Sequence, residues 1–163
     1  MVYAAKKLSR PIKWTATRTE EFQASVHGRD HMNVAELACD PEGRILALKV
    51  NTLANTGAYL INPALLIPLG LMSKVITSVY DIPAIYLETR CILTNTAPIG
   101  AYRGAVRPEG IYPMERLIDM TARDMGIDPV IMRRINLIRT ENLPYTTHAG
   151  CLLYTSPSPR DRG

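Results

Sequence analysis

The strongest constraint on how this chain can fold is a change in its apolar period near Thr94. Ahead of it, Ile85–Thr94 alternates, with Ile85, Leu87, Thr89 and Cys91 facing one way as in a half-buried strand. Beyond it, Ile111–Met125 sets Met114, Leu117, Ile118, Thr121 and Met125 at helical spacing, closed by Gly126. Pro113 requires that helix to start close by, because a mid-helix proline costs about 3 kcal/mol. Asp128-Pro129 reads as a cap followed by proline in the first helical position. It opens a second helix, Pro129–Ile138, whose stripe Ile131, Ile135 and Ile138 leaves Arg133 and Arg134 exposed. Strands come mainly first and helices second, so the fold class is α+β rather than a regular alternation.

The first two-thirds carries the strand signals. Val2–Leu8 reads as the back half of a helix, ended by Ser9-Arg10-Pro11. Pro11–Arg18 is rich in strand formers, with Ile12 and Trp14 sharing a face. Thr19-Glu20-Glu21 then turns the chain, and Phe22–Asp30 is extended. His31–Cys39 and Arg44–Ala54 form a hairpin across Asp40-Pro41-Glu42-Gly43. Leu46, Leu48 and Val50 are its apolar face, with Leu37 and Cys39 buried on the partner strand. Pro63–Val79 reads as a helix interrupted at Pro68, with Leu65, Leu69, Met72 and Ile76 on one stripe.

At 163 residues the chain is long enough for one domain with a core. The net charge of +4 is scattered, with no run of four Lys/Arg, which argues against a nucleic-acid footprint. No apolar run reaches the roughly 18 residues needed to span a bilayer. The first residues lack the continuous apolar core of a secretory signal. Cys39, Cys91 and Cys151 have no C-x-x-C spacing, which points to a reducing, cytoplasmic setting.

Both ends invite a reading of their own. Cys151–Asp161, CLLYTSPSPRD, back-translates to a transposon-type sequencing adapter, and composition shifts abruptly after Gly150. The expected organisation is therefore one partial domain over residues 1–150 and an artefactual adapter-like tail over 151–163 with no domain of its own. The uncapped start at Met1 reads as the middle of a helix, so the chain is expected to be an internal fragment of something larger.

Thr94–Glu109, TNTAPIGAYRGAVRPE, is a loop by composition, with Pro98, Gly100, Gly104 and Pro108. It carries Arg103 and Arg107 among small residues, which lets backbone and two guanidinium groups approach something bulky and anionic. This segment resembles a signature of the molybdenum-binding large subunit of the xanthine dehydrogenase/aldehyde oxidase/carbon monoxide dehydrogenase family. Arg10–His31, Asp40–Tyr59 and the stretch from MERLIDM to RRINLI carry the same resemblance in the family's order.

That resemblance implies a molybdopterin-binding domain of α+β fold and a hydroxylase acting on an aldehyde or heterocycle, with water as the oxygen source. It implies molybdopterin, in its cytosine dinucleotide form, carrying molybdenum. It also implies a hetero-oligomer with an iron–sulfur (2Fe-2S) small subunit and an FAD-binding medium subunit. The residues expected to meet the cofactor are Tyr102, Arg103, Gly104, Ala105 and Arg107. None is expected to bind the metal directly. The family's glycine-rich GGGFGG loop and its general-base glutamate are expected outside this stretch, so no catalytic residue is assigned within it.

Three positions depart from named relatives. Carbon monoxide dehydrogenases proper carry a copper-binding cysteine where this chain has Gly104, which offers no thiolate to a soft metal. Xanthine oxidisers carry a phenylalanine where Ala105 stands, and a substrate-orienting arginine near Leu71. A rival reading is a non-catalytic domain that keeps the fold, or a carbon monoxide dehydrogenase-like protein without the copper cysteine. Among individual residues, Tyr102 either packs beside the cofactor or fills core. Arg107 either meets a ligand or pairs with Glu109 or Glu115. His27, Arg29, Asp30 and His31 read as a hydrogen-bonded cluster, because His27 and His31 lie about 13 Å apart on an extended chain, too far for one metal. Met114, Met120, Met125 and Met132 read as core or gap-fillers.

Overall fold

In the computed structural model of the protein the described residues are Met1–Tyr154. The centre of the fold is a three-stranded sheet in the order β1-β2-β3, formed by β1 (His31–Cys39), β2 (Ile45–Gly57) and β3 (Ile85–Leu93). β1 and β2 pair antiparallel through the expected Asp40–Gly43 turn, where Gly43 takes φ +87°. β2 and β3 run parallel, so the chain between them must cross over.

The core lies on one sheet face. Ile45, Leu48 and Val50 of β2 are buried against Met114, Ile118 and Ala122 of α4 (Arg107–Met125), with Met132 of α5 (Pro129–Asn136) completing the cluster. The crossover adds Ile67, Met72, Ile76, Tyr80 and Ile82. The opposite face leaves Met32, Val34, Leu53 and Tyr86 exposed. The mixed helix-and-strand content is that of the expected α+β class.

Several local expectations are corrected. Pro11–Arg18 is not a strand, and Trp14 stands 58% exposed. Thr19-Glu20-Glu21 is not a turn either. Thr17 caps a helix, α2 (Arg18–Ala24), by accepting from Glu20 N while the Glu20 carboxylate returns to Thr17 N. The T-x-x-E spacing of a capping box outweighs the strand propensity around it. On β2, Leu46 is exposed and Ile45 buried, because a bulge pairs Cys39 with Ile45 and skips a residue. In the crossover a π-helical turn, Ile67–Leu71, leads into α3 (Met72–Val75). That wider turn rotates the stripe, so Ile67 and Pro68 are buried while Leu65 and Leu69 are exposed.

The C-terminal helices also differ in detail. α4 begins four residues before the expected Ile111 and so encloses Pro113. Position 113 is the seventh residue of that helix, past the first turn, so a proline there cannot supply the N–H that would bond the Glu109 carbonyl. On α5 the buried pair is Met132 and Asn136, not Ile131. Arg133 is only partly exposed, and it joins Glu115 and Asp119 of α4 at 2.8 Å each. Tyr80 Oη donates to the other oxygen of Glu115 at 2.8 Å. Met120 is exposed, unlike Met114 and Met132.

A small hairpin follows. β4 (Tyr145–Thr146) pairs antiparallel with β5 (Leu152–Leu153), closed by Thr147 N donating to Cys151 O at 2.8 Å. The first residues of the expected tail therefore take part in a hairpin. Residues 155–163 of that tail lie outside the described residues.

Tyr145 Oη donates to Asp81 Oδ1 at 2.7 Å. Desolvation, with that carboxylate beside it, pushes its phenol up to about 12. A raised folded-state value favours the protonated form in the fold, so the stabilisation is complete below the unfolded phenol's value of about 10 and is lost as pH climbs toward 12. Thermal midpoints should fall across that window, and fall less steeply in Tyr145→Phe.

Candidate functional site

The Pro98–Arg107 bend is shaped by three joints. The first is at the end of β2. Gly57 takes φ +78°, and a Cβ there would stand 2.3 Å from Ala97 O and 2.6 Å from Pro98 Cα. Only glycine lets the incoming loop lie so close to the strand end. Thr94 N donates to Gly57 O and Ala58 N to Thr96 O, both at 3.0 Å, and Ile99 N donates to Thr56 O at 3.2 Å. The Asn55 amide ties the joint together. Its Nδ2 donates to Asp30 Oδ2 at 2.7 Å and Thr96 Oγ1 at 2.9 Å. Its Oδ1 accepts from Gly57 N at 2.8 Å and Thr94 Oγ1 at 2.7 Å.

The second joint is with the segment ahead of β1. His27 N donates to Pro98 O at 3.0 Å, and Gly100 N returns to His27 O at 2.8 Å. At Gly28 a Cβ would meet Tyr102 Cβ at 2.4 Å. The third joint turns the loop into α4. Gly104, Ala105 and Val106 all have positive φ, at 87°, 20° and 51°. For a β-branched residue such as Val106 this is an outlier, held by full burial of the side chain among the core residues.

The predicted site residues are thereby brought together on one exposed bend. Tyr102 is 62% exposed and does not fill core; its ring lies under the Arg29 guanidinium, 4.7 Å from the centroid. Arg103 and Gly104 are exposed, and Ala105 is half-buried. Among the described residues the Arg103 side chain has neither hydrogen bond nor ion pair, although its carbonyl accepts from Arg29 Nη2. Arg107 makes only a long 3.5 Å contact with Gly104 O. Within the described chain it pairs with neither Glu109 nor Glu115, which are taken by Arg29 and Arg133.

Sequence reasoning missed the support beneath the bend. Asn55 lies one residue past the expected strand end at Ala54, whereas β2 runs on to Gly57. Glu109 lies under the bend with its side chain 8% exposed and Oε2 3.9 Å from Arg29 Nε, and that oxygen accepts no hydrogen bond among the described residues. His31 Nδ1 is likewise buried without a partner among the described residues. Burial holds the His31 imidazole below its usual range, although the Glu109 and Asp30 charges pull the other way. The expected hydrogen-bonded cluster is not formed: among the described residues no side-chain hydrogen bond joins two of His27, Arg29, Asp30 and His31, and Asp30 instead accepts from Asn55 while Arg29 donates to the Arg103 carbonyl. Among the described residues no three His, Cys, Asp or Glu side chains gather to hold a metal.

The donor set of the bend fits an anionic, oxygen-rich group. Two guanidinium groups stand without a carboxylate, and the N–H groups of Tyr102, Arg103 and Gly104 meet no acceptor among the described residues. Gly104 and Ala105 leave room for close approach.

The sequence agrees with this geometry: the chain belongs to the molybdopterin cofactor-binding domain family, whose model matches residues 1–137. It is 37% identical over 153 residues to the carbon monoxide dehydrogenase large chain of Hydrogenophaga pseudoflava, covering 91% of this chain and 19% of that one. It is 35% identical over 144 residues to subunit gamma of the 6-hydroxypseudooxynicotine dehydrogenase complex of Paenarthrobacter nicotinovorans, covering 88% and 18%. The fold superposes on quinoline 2-oxidoreductase from Pseudomonas putida 86 with a TM-score of 0.87 at 35% identity, over 93% of this chain and 20% of that one. The chain thus spans about a fifth of the length of these relatives. No helix among the described residues is long and apolar enough to cross a membrane.

Proposed function

We propose that this chain is part of a molybdopterin-dependent oxidoreductase, and that the bend from Tyr102 to Arg107 receives the molybdenum–pterin cofactor. The observation that carries this reading is Arg103: an exposed guanidinium with no protein partner among the described residues, on a bend fixed from beneath, in a chain of the cofactor-binding family. When bound, the cofactor supplies the oxidation of a substrate C–H bond with oxygen drawn from water. The chain's residues bind and orient. Arg103 donates its planar fork to the cofactor's oxygens, and Arg107 adds a second positive charge. Gly104 and Ala105 keep the approach open, and Tyr102 borders it. The general base is proposed to lie outside this stretch; Glu109 instead faces Arg29 beneath the bend.

The proposed substrate class is an aldehyde or nitrogen heterocycle. Gly104 offers no thiolate for copper, which weighs against carbon monoxide. The proposed cofactor form is the cytosine dinucleotide, and the proposed partners are a 2Fe-2S small subunit and an FAD-binding subunit in a cytoplasmic hetero-oligomer. The test is to express the complete reading frame with its partner subunits and measure bound molybdenum. Stoichiometric molybdenum is expected; a well-folded, metal-free preparation overturns the proposal.

A further inference from the structure

We propose that Arg29 is a positioning residue that locks the cofactor-facing bend and so sets the direction of Arg103. The inference rests on the bend's role given above but adds a residue outside it. Arg29 lies 74 residues from Arg103 in sequence, and its one guanidinium meets three different groups. Its face covers the Tyr102 ring at 4.7 Å. Nη2 donates to the carbonyl of Arg103, and Nε faces the Glu109 carboxylate on α4 at 3.9 Å. Arg29 itself takes φ +61°, uncommon for a residue with a side chain. The backbone bonds of His27 to Pro98 and Gly100 hold this segment alongside the loop. Gly28 contributes by absence, since a Cβ would collide with Tyr102.

The chemistry calls for arginine in particular. A planar fork can stack by its face while its edge donates in two directions. A lysine ammonium could neutralise Glu109 but could not also cover the ring and hold the carbonyl. A counter-ion role alone would therefore be rescued by Arg29→Lys, whereas a positioning role would not.

The experiment uses the complete large subunit in its complex, purified without cofactor and then reconstituted with it. In Arg29→Lys and Arg29→Ala, amide exchange of the cofactor-free protein at Gly100 and Ala105, whose N–H groups donate to His27 O and Tyr102 O, should rise at least tenfold, while β2 exchange around Leu48 and Val50 stays at the wild-type rate. Molybdenum uptake should fall at least fivefold, and the visible circular dichroism per bound molybdenum should shift. Gly28→Ala should reproduce both effects by displacing Tyr102, which provides a second route should Arg29→Ala fail to fold. Wild-type exchange in Arg29→Lys reduces Arg29 to a counter-ion and overturns the proposal. Loosened exchange with undiminished molybdenum leaves the lock standing but removes the bend as the cofactor's seat. Loss of molybdenum in Arg103→Ala with unchanged exchange in all Arg29 and Gly28 variants does the reverse.

Discussion

Arg103→Ala in the complete subunit is expected to lose most of its molybdenum while unfolding at the wild-type midpoint. The Arg103 side chain is exposed and makes no contact that supports the fold among the described residues. Substitution of such a residue changes stability by no more than about 0.5 kcal/mol. Its proposed work lies in charge-assisted hydrogen bonds to the cofactor, and losing these costs about 1.5–3 kcal/mol. That corresponds to roughly a ten- to hundredfold loss of affinity. Arg103→Lys should fall between, because the charge remains but the two-pronged geometry does not. Metal analysis of purified protein, set beside a thermal melt, separates the outcomes. Wild-type molybdenum in Arg103→Ala would remove the central residue of the proposed site.

The second large effect is on the fold. Asn136 is 2% exposed, and its side-chain amide joins three backbone groups. Oδ1 accepts from Ile45 N at 2.8 Å, while Nδ2 donates to Gly43 O at 2.8 Å and Met132 O at 2.9 Å. The amide thus ties α5 to the hairpin turn and to the first residue of β2. Asn136→Ala strands a buried donor and acceptor and should cost about 3 kcal/mol. Asn136→Leu fills the volume yet strands the same groups, so it should fare no better. Urea unfolding distinguishes the two causes: a leucine variant close to wild type would show that packing, not hydrogen bonding, holds this joint.

The same residue shows where a sequence stops being legible. Asn136 lies beside the Ile131, Ile135 and Ile138 stripe rather than on it, and periodicity alone made Ile131 the buried face. Which turn of α5 meets the sheet depends on backbone groups of the Gly43 turn, about ninety positions away in sequence. A period cannot register an acceptor so distant. Local signals were legible where their physics is local. The Asp40–Gly43 turn, the alternation of β3 and the Asp128-Pro129 start of α5 all stand as expected. So does the placement of Tyr102, Arg103, Gly104 and Ala105 on one bend, although Arg107, expected in the same loop, opens α4. The capping box at Thr17 is equally local, but the strand formers around it mask its T-x-x-E spacing.

The residues by themselves determined the α+β content, the hairpin and the glycine-flanked bend that carries Arg103, because turns, caps and periods are set within a few positions. Only the tertiary structure decided that β3 pairs parallel to β2, that Asn55 knots the strand end to the loop, and that Arg29 reaches under Arg103. Those contacts join segments dozens of residues apart, and their energy exists only once the chain has closed around its core.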